Sequence, residues 1–172
     1  MSCVIGIKAK LRTDWCSDQS SECIFSIIKY GCEKKLGITL EIDDRGDYDL
    51  ANDETLLYVD HSFVYNVADP LLGRDNDWEV KEFRPKPLFE RLSLLQDLFS
   101  FILSQDNVIR IEVFITEYGY VIFTKDGKLL PKDKMLRQTK LENFAKETEQ
   151  MIENSNGTVH DSLYYWEKYE NH

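Results

Sequence analysis

His61 is the residue of this sequence best suited to acid–base chemistry, and it directly follows Asp60. A histidine near a carboxylate can serve as a general base, and Tyr58 would share the same cleft. Successive residues of a strand point to opposite faces of a sheet, however, so Asp60 is badly placed to orient His61. We interpret His61 as a core histidine bonded to backbone or water. A small enzyme with a cleft at His61, Tyr58 and Asp60 is kept as an alternative.

Carboxylates are densest between residues 41 and 54. Alternating carboxylates also begin a calcium-binding loop, but the glycine and the glutamate that such a loop needs at its sixth and twelfth positions do not fall into place. The tripeptide Arg45-Gly46-Asp47 matches an adhesion motif, which we interpret as coincidence because we expect no export signal. Two interpretations stay open: a solvated turn, or an acidic docking surface that carries Tyr48 and steers a basic partner by its charge.

The docking interpretation extends to a second acidic group at residues 75–79, which contains Trp78. Aromatic side chains anchor protein interfaces, and carboxylates around them select a cationic partner. We name the whole set the acidic surface. Its predicted members are Glu41, Asp43, Asp44, Asp47, Tyr48, Asp49, Asp53, Glu54, Asp75, Asp77, Trp78 and Glu79.

Other chemistry has little support in the residue spacings. The four cysteines form no CxxC pair and the three histidines have no metal-ligand spacing, so we predict neither a metal nor another cofactor. Residues 125–140 are rich in lysine, but no glycine-rich phosphate cradle precedes them, which favours a solvated turn. The GxSxG and HExxH motifs of hydrolases and metalloproteases are absent from the sequence. We therefore predict that the chain is not an enzyme.

The net charge of −10 on 172 residues restricts the possible partners. A strongly negative surface repels nucleic acid and anionic membranes, and it attracts basic proteins over a Debye length of about 8 Å in physiological salt. No apolar run reaches the roughly 18–20 residues that span a bilayer. These features predict a cytoplasmic chain that binds a basic protein, with no direct contact to nucleic acid or membrane. The oligomeric state is left open.

The elements that position these residues follow from hydrophobic periodicity. The length and the even composition predict one globular domain over residues 1–172. Eight elements are predicted, in the order β-α-β-β-α-β-β-α. The predicted strands cover residues 3–11, 38–42, 55–67, 108–115 and 120–124; the predicted helices run from Ser20 or Ser21 to Gly37, from Pro87 to Leu103, and over residues 138–153.

This order predicts an α+β fold, an antiparallel sheet with helices packed on one face. Its first six elements match the ferredoxin-like βαββαβ arrangement, to which a hairpin strand and a C-terminal helix are added. The aromatic residues 163–166 are expected to pack back on the domain as a helical turn or an edge element. Cys3 and Cys32 are expected in the core as free thiols. The strand order in the sheet is left open.

An acidic α/β profile of this size, without a catalytic motif, resembles the immunity proteins of bacterial toxin systems, including those of contact-dependent growth inhibition. The resemblance is carried by the acidic residues 41–54, the cluster at 75–79 and the βαββαβ-like pattern that ends at residues 111–119. It implies that the partner is a toxin domain, often a basic nuclease, whose active site or substrate surface is covered. The carboxylates would then occupy the place of nucleic-acid phosphates. A purely structural adaptor protein is a further alternative.

Overall fold

One six-stranded sheet with three helices packed against it is formed by the residues that the computed structural model describes, 4–12, 21–42, 53–59, 88–116, 135–154 and 162–168. The strands are β1 (Val4–Leu11), β2 (Leu40–Ile42), β3 (Glu54–Val59), β4 (Val108–Thr116), β5 (Met135–Arg137) and β6 (Ser162–Glu167). The helices are α1 (Ser21–Leu36), α2 (Leu88–Ser104) and α3 (Phe144–Asn154), and a 3-10 turn at Leu141–Asn143 leads into α3.

The strand order is β2-β3-β1-β4-β6-β5, so most neighbours in the sheet are distant along the chain. Every neighbouring pair is antiparallel except β5 and β6, which are parallel. The prediction of an α+β fold with helices packed on an antiparallel sheet is therefore confirmed. The more specific ferredoxin-like arrangement stays a prediction, and the added strand predicted at residues 120–124 lies outside the described residues.

Alternation along β1 decides which face of the sheet the helices cover. Ile5, Ile7 and Leu11 are fully buried and belong to one core cluster with residues from all three helices. Full burial of an aliphatic side chain of this size contributes about 1.5–3 kcal/mol. From α1, Cys32 lies in this core as predicted, and burial raises the pKa of its thiol to about 12, so it packs as a neutral apolar group. Cys3 lies outside the described residues.

Residues 163–166 form an inner strand, rather than the helical turn or edge element predicted for them. β6 lies between β4 and β5, and Tyr164 and Trp166 on its helix-facing side pack against Phe99 of α2 and Phe144 of α3. We name these four side chains the aromatic cluster; five of their pairs have ring centroids 5.0–5.9 Å apart. Burial of these rings stabilises β6 as an inner strand of the sheet.

The third helix begins later than residue 138, where the sequence predicts its start. Residues 135–137 are used by β5, and Lys140 is extended, with φ −68° and ψ 143°. The Trp166 indole donates a hydrogen bond of 2.7 Å to the carbonyl of Thr139, which holds this segment in a non-helical conformation. Periodicity predicts the helix correctly from Phe144 onwards, but it does not reveal the tertiary hydrogen bond that delays the start.

Gly37 ends α1 in the left-handed conformation, with φ 66°. Its amide donates to the carbonyl of Glu33 over 3.1 Å, and a Cβ at Gly37 would meet nothing within 4 Å in the described part of the chain. We therefore expect Gly37→Ala to lower the free energy of unfolding, measured in urea, by about 1 kcal/mol through backbone strain alone. Gly37→Asn is the control and should lose less, because asparagine tolerates this conformation. An unchanged unfolding midpoint in Gly37→Ala would contradict the prediction.

Candidate functional site

The face of the sheet opposite the helices carries charged side chains on neighbouring strands. β3, β1, β4 and β6 run side by side there, and their registers place outward residues in rows across the sheet. One row contains Lys8 and Glu112, and the next contains Lys10 and Arg110. We name this surface the polar face; its members are Lys8, Lys10, Glu54, Arg110, Glu112, Tyr165 and Glu167.

Four of these side chains close into a ring of ion pairs, the charged ring of Lys8, Glu54, Arg110 and Glu112. Lys8 Nζ lies 3.2 Å from Glu54 Oε2 and 3.8 Å from Glu112 Oε2. Arg110 Nη2 lies 3.4 Å from Glu54 Oε1, and Arg110 Nε lies 3.7 Å from Glu112 Oε1. Each carboxylate thus contacts the lysine through one oxygen and the arginine through the other. Positive and negative groups alternate around the ring.

The charged ring is largely removed from solvent. Its lysine side chain is 8% exposed and its arginine side chain 21% exposed, with the two carboxylates between these values. Low exposure strengthens the attraction between the charges and makes each of them depend on its partners. Because both cations already contact two carboxylates, this geometry favours a structural role, in which the ring sets the register of β3, β1 and β4.

Tyr165 extends this arrangement toward the edge of the sheet. Its ring lies over the Arg110 guanidinium at 5.7 Å, and its hydroxyl donates to Glu167 Oε2 over 3.1 Å. Burial raises the pKa of the Tyr165 hydroxyl; Arg110 opposes the rise, and the hydrogen bond to Glu167 adds to it. The hydroxyl is therefore a neutral donor near pH 7. The side chain is 42% exposed, which leaves an aromatic surface available to a partner.

The structure places the described members of the acidic surface in two different environments. Glu41 is exposed on β2, whereas Asp53 lies 3.7 Å from Lys10 and Glu54 belongs to the charged ring. Two predicted docking carboxylates are thus already paired within the fold. The other members lie outside the described residues: Asp43, Asp44, Asp47, Tyr48, Asp49, Asp75, Asp77, Trp78 and Glu79.

The alternative site at His61 is described only in part. Tyr58 is half-buried on β3, and its ring meets Phe114 edge to face with centroids 6.4 Å apart. Phe114 in turn occupies the space above Gly6, where any side chain would collide with its ring. His61 and Asp60 lie outside the described residues, so the cleft proposed around them stays a prediction.

Sequence reasoning missed the charged ring. Three of its members, Lys8, Arg110 and Glu112, stand at outward positions of predicted strands, whereas Glu54 is predicted as a member of the acidic surface, just before the strand predicted over residues 55–67. The alternation of Arg110 and Glu112 on one strand with Lys8 and Lys10 on another is a usable signal. Opposite charges on facing strands form cross-strand pairs. The signal becomes readable only when the strands are known to be neighbours, and β1 and β4 are separated by about a hundred residues.

Negative charge is concentrated in two short stretches of the sequence. Residues 43–49 hold four carboxylates and one arginine, and residues 75–79 hold three carboxylates and no cation, so the two stretches together account for −6 of the net charge of −10. The basic side chains of the polar face, in contrast, are paired with acids of the same fold.

A cleft of about 810 Å³ lies beside β6 at the edge of the sheet. β5 pairs with β6 only as far as Arg137 and Tyr164. The chain then leaves the sheet, so that residues 165–167 form one wall of the cleft and residues 137–142 form another, with Leu103 of α2 also contributing. The cleft therefore borders the part of β6 that has β4 as its neighbour on the other side.

The described residues were also searched for a metal site and for a membrane-spanning helix. Among them, no three His, Cys, Asp or Glu side chains are grouped as metal ligands would be. No helix in the same ranges combines the length and the apolar character needed to cross a bilayer.

Comparison with protein-family models, with curated proteins and with solved structures gives no match for this chain.

Proposed function

We propose that this chain is a cytoplasmic binding protein that neutralises a basic toxin domain, as bacterial immunity proteins do. In this proposal it covers the active site or the substrate-binding surface of the toxin. The observation that carries the proposal is the concentration of carboxylates at residues 43–49 and 75–79, which together account for −6 of the net charge of −10.

The paired cations of the polar face support this interpretation. Lys8, Lys10 and Arg110 contact Asp53, Glu54 and Glu112, which leaves these cations committed within the fold. Residues 43–52 connect two adjacent antiparallel strands, β2 and β3. Glu41, two residues before this segment in the sequence, is exposed on β2. Negative charge that is concentrated on one surface attracts a cationic protein and orients its approach.

A basic nuclease is the class of toxin whose chemistry fits best. Such an enzyme binds the phosphates of its substrate with lysine and arginine side chains. Carboxylates that enter the same groove would satisfy these cations and exclude nucleic acid. Tyr48 and Trp78 would supply the buried aromatic contacts that slow dissociation. Inhibition of this kind needs tight binding and no catalytic turnover.

We expect the variant with Asp43, Asp44, Asp47 and Asp49 all replaced by lysine to associate about tenfold more slowly with its partner at low ionic strength, because rim charges act mainly on the association rate. The salt dependence of that rate should also become shallower. The partner is sought in the adjacent open reading frame, where the proposal predicts a secreted protein with a toxic C-terminal domain, and stopped-flow mixing with that domain measures the rate.

A second charge-reversed variant serves as the matched control. Glu33, Glu90, Asp97 and Glu153 are exposed on the three helices, and replacing them by lysine changes the net charge by the same amount. The control should lose much less of the association rate, because its charges stand on the helices and do not belong to the acidic surface. Equal losses in both variants would place the contact elsewhere. If co-expression with the toxin domain gives neither protection nor a complex, the immunity proposal itself fails.

A further inference from the structure

We infer that the cleft beside β6 is a site of β-strand addition, which takes an extended, lysine- or arginine-containing segment of a partner protein. This surface is separate from the acidic surface, and the inference does not rest on the proposed immunity function. Four observations carry it: the direction of the backbone groups of β6, the path of residues 138–140, the exposed aromatic ring of Tyr165 and the charges around the cleft.

One hydrogen bond at the end of β6 shows in which direction the N–H and C=O groups of each of its residues point. Lys168 N donates to Ile109 O over 2.8 Å. In an antiparallel pair the residues that bond to a neighbouring strand alternate with residues whose backbone groups point away from it. The backbone groups of Trp166, like those of Lys168, therefore point toward β4. The backbone groups of Tyr165 and Glu167 point to the opposite side of the strand, where the cleft lies.

The neighbouring strand does not use all of these backbone groups. Pairing between β5 and β6 ends at Arg137 and Tyr164. Beyond that point the carbonyl of Thr139 accepts a hydrogen bond from the indole of Trp166, and this ring lies on the helix-facing side of the sheet. Residues 138–140 therefore lie outside the plane of the sheet. They do not occupy the position that a strand pairing with β6 at Glu167 would take. A short stretch of open sheet edge results, which is the feature that strand-adding peptides recognise.

Side chains beside this edge indicate what the added strand should carry. Tyr165, 42% exposed, presents a ring face against which a β-branched residue of the partner can pack. Glu142 and Glu167 are exposed carboxylates of the same cleft. A lysine or arginine placed across from Glu167 would form a cross-strand ion pair.

Three cations near the cleft have hydrogen-bond or ion-pair partners within the fold. Arg137 Nε donates to Ser162 Oγ over 3.4 Å, Arg110 belongs to the charged ring, and Lys168 Nζ donates to the carbonyl of Gln105. Burial also lowers the pKa of Lys168, which reflects its removal from solvent. The described residues give no ion pair to Arg137 or Lys140, so the cleft lining holds two cations and two carboxylates. The charge expected of the partner therefore follows from Glu167, which stands on β6 beside the open edge, and is one lysine or arginine across from it.

The first test uses a capped seven-residue peptide of alternating valine and threonine with one central lysine. Its control has the same sequence with the backbone nitrogen methylated at two successive residues, which blocks a donor on both edges while the charge is kept. Titration of the full chain, followed by amide NMR shifts, should show the unmodified peptide binding about tenfold more tightly, as loss of one or two hydrogen bonds implies. The shifts should centre on residues 165–168 and 137–142. Equal binding of both peptides, or shifts centred elsewhere, would overturn the inference.

The second test changes the protein. Glu167→Pro removes the amide that points into the cleft, and leaves the ladder to β4 untouched because that amide does not face β4. We expect it to weaken peptide binding by about tenfold, whereas Glu167→Gln, which keeps the amide and removes the charge, should weaken it by about threefold. Wild-type affinity in a folded Glu167→Pro variant would contradict strand addition. If that variant does not fold, the comparison of the two peptides decides.

A second copy of the chain is the competing occupant of this edge. Sedimentation of the wild-type chain over a range of concentrations tests it. A monomer supports the partner segment as the occupant. A dimer that Glu167→Pro dissociates would assign the edge to self-association and overturn the proposal.

Discussion

Replacing Phe144 by alanine should lower the free energy of unfolding by about 4 kcal/mol, the largest loss that we expect from one substitution in the described core. Phe144 is fully buried, and its ring lies 5.0–5.9 Å from the rings of Phe99, Tyr164 and Trp166. It therefore links α2, α3 and β6. Alanine leaves a cavity among three rigid rings that cannot collapse into it, and adds the loss of the aromatic contacts. Urea titration followed by circular dichroism measures the change.

Phe89→Ala is the matched control for this prediction. Phe89 stands on α2 and is 46% exposed, so the same substitution removes less buried area and leaves no enclosed cavity. Its loss should stay below about 1 kcal/mol. Similar losses in the two variants would show that the aromatic cluster does not hold β6 in the sheet. A folded Phe144→Ala variant whose β6 amides exchange rapidly with solvent would show that β6 separates on its own.

The second large effect is expected at the charged ring, where Lys8→Met should lower the free energy of unfolding by about 3 kcal/mol. Methionine fills a similar volume but carries no charge, so Glu54 and Glu112 would be left with Arg110 as their shared cation. Both carboxylates are more than four-fifths buried. Negative charge with too few cationic partners is costly in a place so far removed from solvent.

Lys10→Met provides the control on the same strand and the same face. Lys10 is 30% exposed and pairs with Asp53 at 3.7 Å, and a pair of this kind contributes less than about 1 kcal/mol. A second comparison tests the cause: adding Glu54→Gln and Glu112→Gln to Lys8→Met should restore part of the lost stability, because the stranded charges are removed. Strictly additive losses in the combined variant would contradict a coupled ring.

The charged ring also limits what the acidic surface can contribute to binding. Asp53 and Glu54 are bound to cations of the fold, so their charge is already compensated before any partner arrives. Glu41 is not in this position, since it is exposed on β2. We therefore expect the steering of a basic partner to come from the carboxylates that precede Asp53 in the chain and from those at residues 75–79. The charge-reversal experiment is built on this division.

Local periodicity predicts much of the fold. The apolar stripe of α2, with Leu92, Leu95, Phe99 and Ile102, is fully buried, because the spacing of a helix face is written into successive residues. β1 is predicted as a strand for the same reason, since its alternation decides which side chains can be buried together. The same rule separates the helix-facing side of the sheet from the polar face.

The sequence by itself determined the α+β class, the approximate bounds of the helices and strands, and the surplus of negative charge, because each of these depends on residue type and on neighbours a few positions away. Only the tertiary structure decided the strand order, the inner position of β6 and the charged ring. Strand pairing joins residues that are far apart in the chain, such as Lys8 and Glu112, and its energy depends on register rather than on local spacing. The open edge beside Tyr165 and Glu167 belongs to this second group, because it exists only where one strand leaves the sheet before its neighbour ends.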